Sequence, residues 1–71
     1  MKYVIADIER AMSLCGVDLY ARQKCGARVM LNEKDLSSVP GETIEEKVIN
    51  INGILLTENE AMAELNKGIW T

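Results

Sequence analysis

Residues 46–57 read Glu46-Lys47-Val48-Ile49-Asn50-Ile51-Asn52-Gly53-Ile54-Leu55-Leu56-Thr57. Two apolar, β-rich runs flank Asn52-Gly53. A type I′ turn needs positive φ at both central residues, and Asn-Gly supplies this at little steric cost. The expected element is therefore a β-hairpin over about 47–56. One upstream signal competes with it. Thr43-Ile44-Glu45-Glu46 is a capping box, with Thr43 as N-cap and Glu46 at the third helical position. It supports a helix from 44 to about 50, with Gly53 past its end. Val48, Ile49 and Ile51 are poor helix formers, which favours the hairpin.

Downstream, Thr57 and Glu60 form a second capping box, and Glu58 and Glu60 lie where the helix dipole favours negative charge. A C-terminal helix is expected over about 58–67, with Ala61, Met62 and Leu65 inward. Gly68 follows as the residue past its end, and Ile69 is placed to fold back on the last turn. Upstream, Asn32 caps a single helical turn at Glu33–Leu36, and Ser37-Ser38-Val39-Pro40-Gly41 is a loop. Ala27–Leu31 is a short apolar run, consistent with a buried strand or a connector.

The N-terminal part reads as helical. Val4, Ile5, Ile8, Ala11, Met12 and Cys15 share one arc at 100° per residue, so an amphipathic helix is expected over about 3–15, stopped at Gly16. Two features argue for a later start: Tyr3, Val4 and Ile5 favour strand, and Asp7 suits the N-cap of a shorter helix. Asp18 is a candidate cap for a short helix over about 19–25, closed by Gly26. The expected fold is α+β, a single small domain over residues 1–71: two N-terminal helices, a hairpin and a C-terminal helix.

The inventory narrows the chemistry. The 71 residues are 48% hydrophobic and 27% charged, with no histidine and two cysteines. Without histidine, the commonest general base and metal ligand are missing. Two cysteines do not make a four-ligand zinc site, and the single glycines form no phosphate loop. A non-enzymatic protein is expected, with no cofactor, no metal and no small-molecule substrate. If the short helix over 19–25 forms, Cys15 and Cys25 lie ~10 Å or more apart along helix, beyond the ~7 Å Cα separation a disulfide tolerates. Both thiols are expected reduced, in a cytoplasmic protein. Lys2 is followed by an apolar run broken at Asp7, which is neither a signal peptide nor a membrane span.

Charge is uneven. The net charge is −3, with positive groups in the majority over residues 1–31 and acids over 32–71. Arg22, Lys24 and Arg28 form the one basic cluster, a candidate contact for a polyanion. Cys25 lies among them and is a candidate reactive thiol. Glu42, Glu45, Glu46, Glu58, Glu60 and Glu64 are placed to imitate a row of phosphates. Ile69 and Trp70, with Tyr20, are candidate interface residues, because Trp and Tyr are enriched where proteins meet. Trp70 has a second reading, folding back to seal a thin core. The expected function is a small interaction module that binds a protein partner or self-associates, since a core this small gains from a supplement.

Two resemblances add alternatives. Leu56-Thr57-Glu58-Asn59-Glu60-Ala61-Met62-Ala63-Glu64-Leu65 resembles the opening helix of the helix-turn-helix in small phage excisionases. That resemblance implies a regulator of nucleic-acid transactions, by weak DNA contact or by acidic mimicry. A reading helix would have to follow Lys67-Gly68, and only three residues remain there, so nucleic acid is not the expected partner. The helix–hairpin–helix order is similar to that of small phage head-joining proteins, which implies a phage structural or joining role.

Overall fold

The computed structural model of the chain describes residues 1–15 and 21–71. It is an α+β fold in which a four-stranded antiparallel sheet carries helical layers on both faces. The elements are β1 (Tyr3–Asp7), α1 (Ile8–Leu14), β2 (Lys24–Cys25), β3 (Arg28–Asn32), a 3-10 turn (Glu33–Leu36), α2 (Ile44–Asn50), β4 (Ile54–Leu56) and α3 (Glu58–Leu65). The strand order is β2-β3-β1-β4. β1 is central, pairing Val4 with Leu31 of β3 on one side and with Leu55 of β4 on the other.

Alternation along the strands sorts the two cores. Val4, Ala6, Val29 and Leu31 point to the inner face, where they pack with Ala11 and Cys15 at α1, Leu36 and Val39, and Val48 and Ile51 at α2. Ile5 and Met30 point to the outer face, where Trp70 packs on them with Tyr3, Cys25, Leu56 and Leu65 at the margin. Leu31, Leu36, Ile51, Val4 and Val29 are the largest fully buried side chains, so the inner layer is the main apolar mass.

The N-terminal helix is shorter than the expected 3–15. Residues 3–7 are strand, and Asp7 holds the N-cap position of α1 with extended backbone. The reason is the sheet's two-sided cover: Val4, Ile5 and Ala6 are all buried, giving a continuous apolar run instead of strict alternation. Of the short helix expected over 19–25, residues 16–20 lie outside the described residues, and Lys24–Cys25 is strand. Gly26 does not close a helix. It takes φ +61° at the first turn position of a two-residue β2–β3 hairpin, a conformation glycine adopts without penalty.

The hairpin expected over 47–56 is also replaced. Residues 44–50 are helical, with Thr43 Oγ1 accepting from the Glu46 amide at 3.2 Å. Asn52 and Gly53 end that helix. Asn52 takes φ +55°. Its amide donates to Ile49 O at 3.0 Å, and the Gly53 amide donates to Val48 O at 2.8 Å. These two bonds are the Schellman pattern. The left-handed backbone that Asn-Gly favours is thus used to stop a helix, and Ile54–Leu56 pairs with β1 instead of folding back on 48–51. Gly53 is further constrained by closeness: a Cβ there would meet Val4 Cγ1 at 2.8 Å.

α3 opens with the expected reciprocal capping box. The Glu60 amide donates to Thr57 Oγ1 (3.2 Å) and the Thr57 amide to Glu60 Oε1 (2.9 Å). The helix ends at Leu65, two residues before the expected end. Ala61 is buried and Leu65 half-buried, but Met62 is exposed. Ile69 is exposed as well.

Both sheet edges are partly covered by local bonds. The bonds Ile8 N to Ala27 O (2.8 Å) and Glu33 N to Lys2 O (3.1 Å) lie in register with the β1–β3 ladder. Antiparallel pairs alternate in bonding, so even-numbered β1 residues bond β3 and Tyr3 and Ile5 bond β4. On β4, Ile54 and Leu56 then face β1, while Gly53, Leu55 and Thr57 face outward. The Gly53 and Thr57 amides are already taken, by Val48 and Glu60. On the opposite edge, Lys24 exchanges both backbone bonds with Thr71, at 2.9 Å each. Blunting of this kind keeps open edges from recruiting strange strands.

Candidate functional site

The basic cluster falls on the β2–β3 hairpin and the segment entering it, but its members have separate jobs. Arg22 grips Asp35 in a two-pronged ion pair, Nε to Oδ2 at 2.8 Å and Nη2 to Oδ1 at 2.7 Å. Asp35 is only 5% exposed. It stands at the third position of the 3-10 turn, in a capping box with Asn32. The Asn32 amide donates to Asp35 Oδ2 (3.2 Å), and Asn32 Oδ1 accepts from the Lys34 and Asp35 amides. The hydrogen bonds from Arg22 hold the Asp35 carboxyl below the usual carboxylate range, more than burial raises it. Lys24 Nζ donates to the Arg22 carbonyl at 2.7 Å. Arg28 lies over the Trp70 ring, 5.6 Å from its centroid.

The C-terminal segment forms the second part of the site. With Lys24 and Thr71 exchanging both bonds, the antiparallel register sets Trp70 opposite Cys25 as a non-bonded pair, the closer of the two pair types. Cys25 pairs in turn with Arg28. This row explains why Trp70, Cys25 and Arg28 share the outer face. Trp70 is 7% exposed, and its Nε1 donates to Glu64 Oε1 at 3.4 Å. Trp70 packs on Ile5 and Met30 in the chain's own outer layer, the arrangement of its core-sealing reading. Ile69 beside it is exposed. Tyr20 lies outside the described residues.

A shallow groove of about 210 Å³ adjoins the Trp70 slot. It is lined by Tyr3, Ala21, Arg22, Gln23, Met30, Leu31, Asn32 and Leu65. Tyr3, Met30 and Leu65 also border Trp70, so slot and groove are continuous. No sequence pattern announced this groove, because it is assembled from four separate stretches.

The two thiols are free and differ in environment. Cys15 is buried in the inner core, and burial, with the nearby Asp35 charge, pushes its thiol pKa up. Cys25 is half-buried beneath the tail. A thiol reagent at neutral pH should label Cys25 at least about tenfold faster than Cys15, whose labelling waits on opening of the core. Mass spectrometry of partially labelled chain checks this. Equal rates would contradict the buried position of Cys15.

The acids are distributed over helix starts. Glu46 accepts from the Glu42 amide at 2.8 Å, Glu60 serves its capping box, and Glu64 pairs with Lys67 at 2.9 Å. Thr57 hydrogen bonds lower the Glu60 pKa, and the Lys67 ammonium does so for Glu64. Among the described residues, no group of three or more Cys, Asp or Glu side chains is placed to hold a metal ion. Among them too, no helix is long and apolar enough to cross a membrane. In comparison with known proteins, the chain matches no family model, no curated protein and no solved structure, so its function rests on its own residues.

Proposed function

We propose that this chain is a non-enzymatic interaction module that binds a protein partner. The observation that carries this reading is the set of large apolar side chains left in solvent: Ile49 at 75%, Met12 at 68%, Ile54 at 59% and Met62 at 58% exposure. Each lies on a regular element, so the backbone presents it rigidly. Flexible methionine and aliphatic side chains suit contact surfaces that adapt to a partner.

Two alternatives have less support. Polyanion contact by Arg22, Lys24 and Arg28 must compete with Asp35 for Arg22 and with Trp70 for Arg28. Imitation of phosphates must draw on acids that are partly bonded within the chain. The test uses the intact chain as bait, beside Ile49→Glu and Ile54→Glu variants whose fold is checked by circular dichroism. A partner retained by the parent and lost from at least one variant supports the reading. Loss of no partner from either variant, with the parent monomeric and partnerless at micromolar concentration, sinks it.

A further inference from the structure

The sheet ends differently on its two margins. On the β2 margin, Lys24 and Thr71 exchange two backbone bonds. On the β4 margin the helix caps take only the ends, the Gly53 amide by Val48 and the Thr57 amide by Glu60. Between them Leu55 turns its amide and carbonyl away from β1, and neither bonds another described residue. Open edges are commonly blunted by a lysine, a proline or a bulge on the strand itself. Ile54-Leu55-Leu56 has no lysine and no proline, and its register with β1 is unbroken. A free donor and a free acceptor on one residue match one reciprocal pair with an extended backbone.

The side chains around this gap are apolar and acidic. Ile54 pairs with Ile5 and lies on the outer face, but unlike Ile5 it is exposed. On the inner side α2 packs against β4. Lys47 Nζ donates to Leu36 O (3.1 Å) and Asn50 Nδ2 to Pro40 O (2.6 Å), so one flank of α2 is tied to the segment after the 3-10 turn. That segment is tied in turn to the end of α1, where the Ser38 hydroxyl donates to Cys15 O at 2.7 Å. At 100° per residue, Glu45 and Ile49 fall on the opposite flank, away from α1, and both are exposed. Glu58 follows Thr57 at the far end of the strand. It stays exposed, with the Met1 ammonium 3.9 Å away. Residues 44–62 hold Glu45, Glu46, Glu58 and Glu60 against one cation, Lys47, which sits on the tied flank.

We propose that the β4 margin receives an extended basic segment of a partner protein. One guest residue pairs with Leu55, its amide donating to the Leu55 carbonyl and its carbonyl accepting from the Leu55 amide. In an antiparallel guest, the positions on either side stand opposite Ile54 and Leu56 on the outer face, where aliphatic side chains cover Ile54. Lysine or arginine beyond them reaches the carboxylates at both ends. Strand addition takes affinity from main-chain bonds and specificity from the side chains beside them. Charge selects the partner over a second copy: a two-fold at Leu55 would bring Glu58 of each copy toward the acidic α2 of the other. The proposal rests on the reading of the chain as an interaction module, and names the surface and the partner's chemistry.

The probe is an acetylated, amidated peptide, Lys-Lys-Val-Thr-Val-Lys-Lys, titrated at low salt into the isotope-labelled full chain. Expected are saturable amide shifts at Ile54, Leu55 and Leu56, and exchange of the Leu55 amide with solvent slowed at least about tenfold at saturation. A peptide with proline for threonine, which lacks the central donor, should bind at least about tenfold more weakly. Glu45→Lys combined with Glu58→Lys should weaken binding by a similar factor, and raised salt should do the same for the parent. Glu45→Gln with Glu58→Gln serves if the lysine pair fails to fold, with a loss of about threefold or more.

The proposal is overturned if Leu55 exchange does not change at saturating peptide, if the proline peptide binds equally well, or if the charge variants bind as the parent does. Protection of Leu55 that rises with protein concentration alone overturns it in favour of a second copy. A protein partner whose footprint covers Ile49 and Ile54 but leaves Leu55 exchange unchanged overturns it too, while the interaction-module reading stands.

Discussion

Trp70→Ala should lower the melting temperature of this chain by roughly 12 °C or more, from a core-truncation cost of ~3–5 kcal/mol. Trp70 closes the outer layer, whose other buried members among the described residues are Ile5 and Met30. Removing the indole leaves Met30, Ile5 and Cys25 facing water or a void, and it leaves Arg28 without a ring beneath it. A chain of this size has ~4–10 kcal/mol of stability in all, so the loss is a large share. Thermal circular dichroism measures it directly. Trp70→Phe, which keeps an aromatic ring without the Glu64 bond, should recover more than half. A shift under about 4 °C for the alanine variant would show that the outer layer is not held by this side chain.

Asp35→Ala should cost ~2–4 kcal/mol, because it deletes a buried acceptor whose donors stay behind. Arg22 would lose both prongs of its ion pair, and the Asn32 amide its partner. Arg22→Ala should cost less, since the guanidinium is partly in solvent and part of its charge is screened there. The same carboxylate sets an acid response. Its folded pKa is held below the ordinary ~3.9, so the unfolded chain takes up the proton first. The stabilisation is therefore complete above about pH 5 and declines as pH falls through about 4 and below. Urea midpoints at neutral pH and near pH 3 measure that decline. In Asp35→Asn, which has no charge to lose, the difference between the two should shrink.

How much of this was legible in the residues depends on how local each signal was. The Thr57–Glu60 and Asn32–Asp35 boxes are complete within four residues, and both form where their pattern stands. The Asn52-Gly53 signal is local too but has two outcomes. Left-handed backbone serves a hairpin turn and a helix stop equally, and the choice was made by the cap at Thr43 and by β1, fifty residues away in sequence. β1 misled for a geometric reason. A strand covered on both faces shows an unbroken apolar run, and Val4 and Ile5 happen to fall in helical phase with Ile8, Ala11 and Cys15, which do belong to a helix and its cap.

The site was less legible than the fold. Arg22, Lys24 and Arg28 are close in the chain, yet their partners Asp35 and Trp70 come from distant segments, and these partners decide what the cations do. Trp70 stands out because tryptophan is enriched where proteins meet, but residue type does not say which way a ring points. The register of Thr71 against Lys24, a contact 47 residues apart, supplies that.

The tail's place at the β2 edge has a consequence for handling the protein. One margin of the sheet is shielded at its ends by caps that belong to helices. The other is shielded by Thr71, whose backbone exchanges two bonds with Lys24 beside the buried Trp70. Stacking of molecules into fibres through that margin should therefore require Trp70 to leave its slot first, so it should rise steeply in variants that empty the slot.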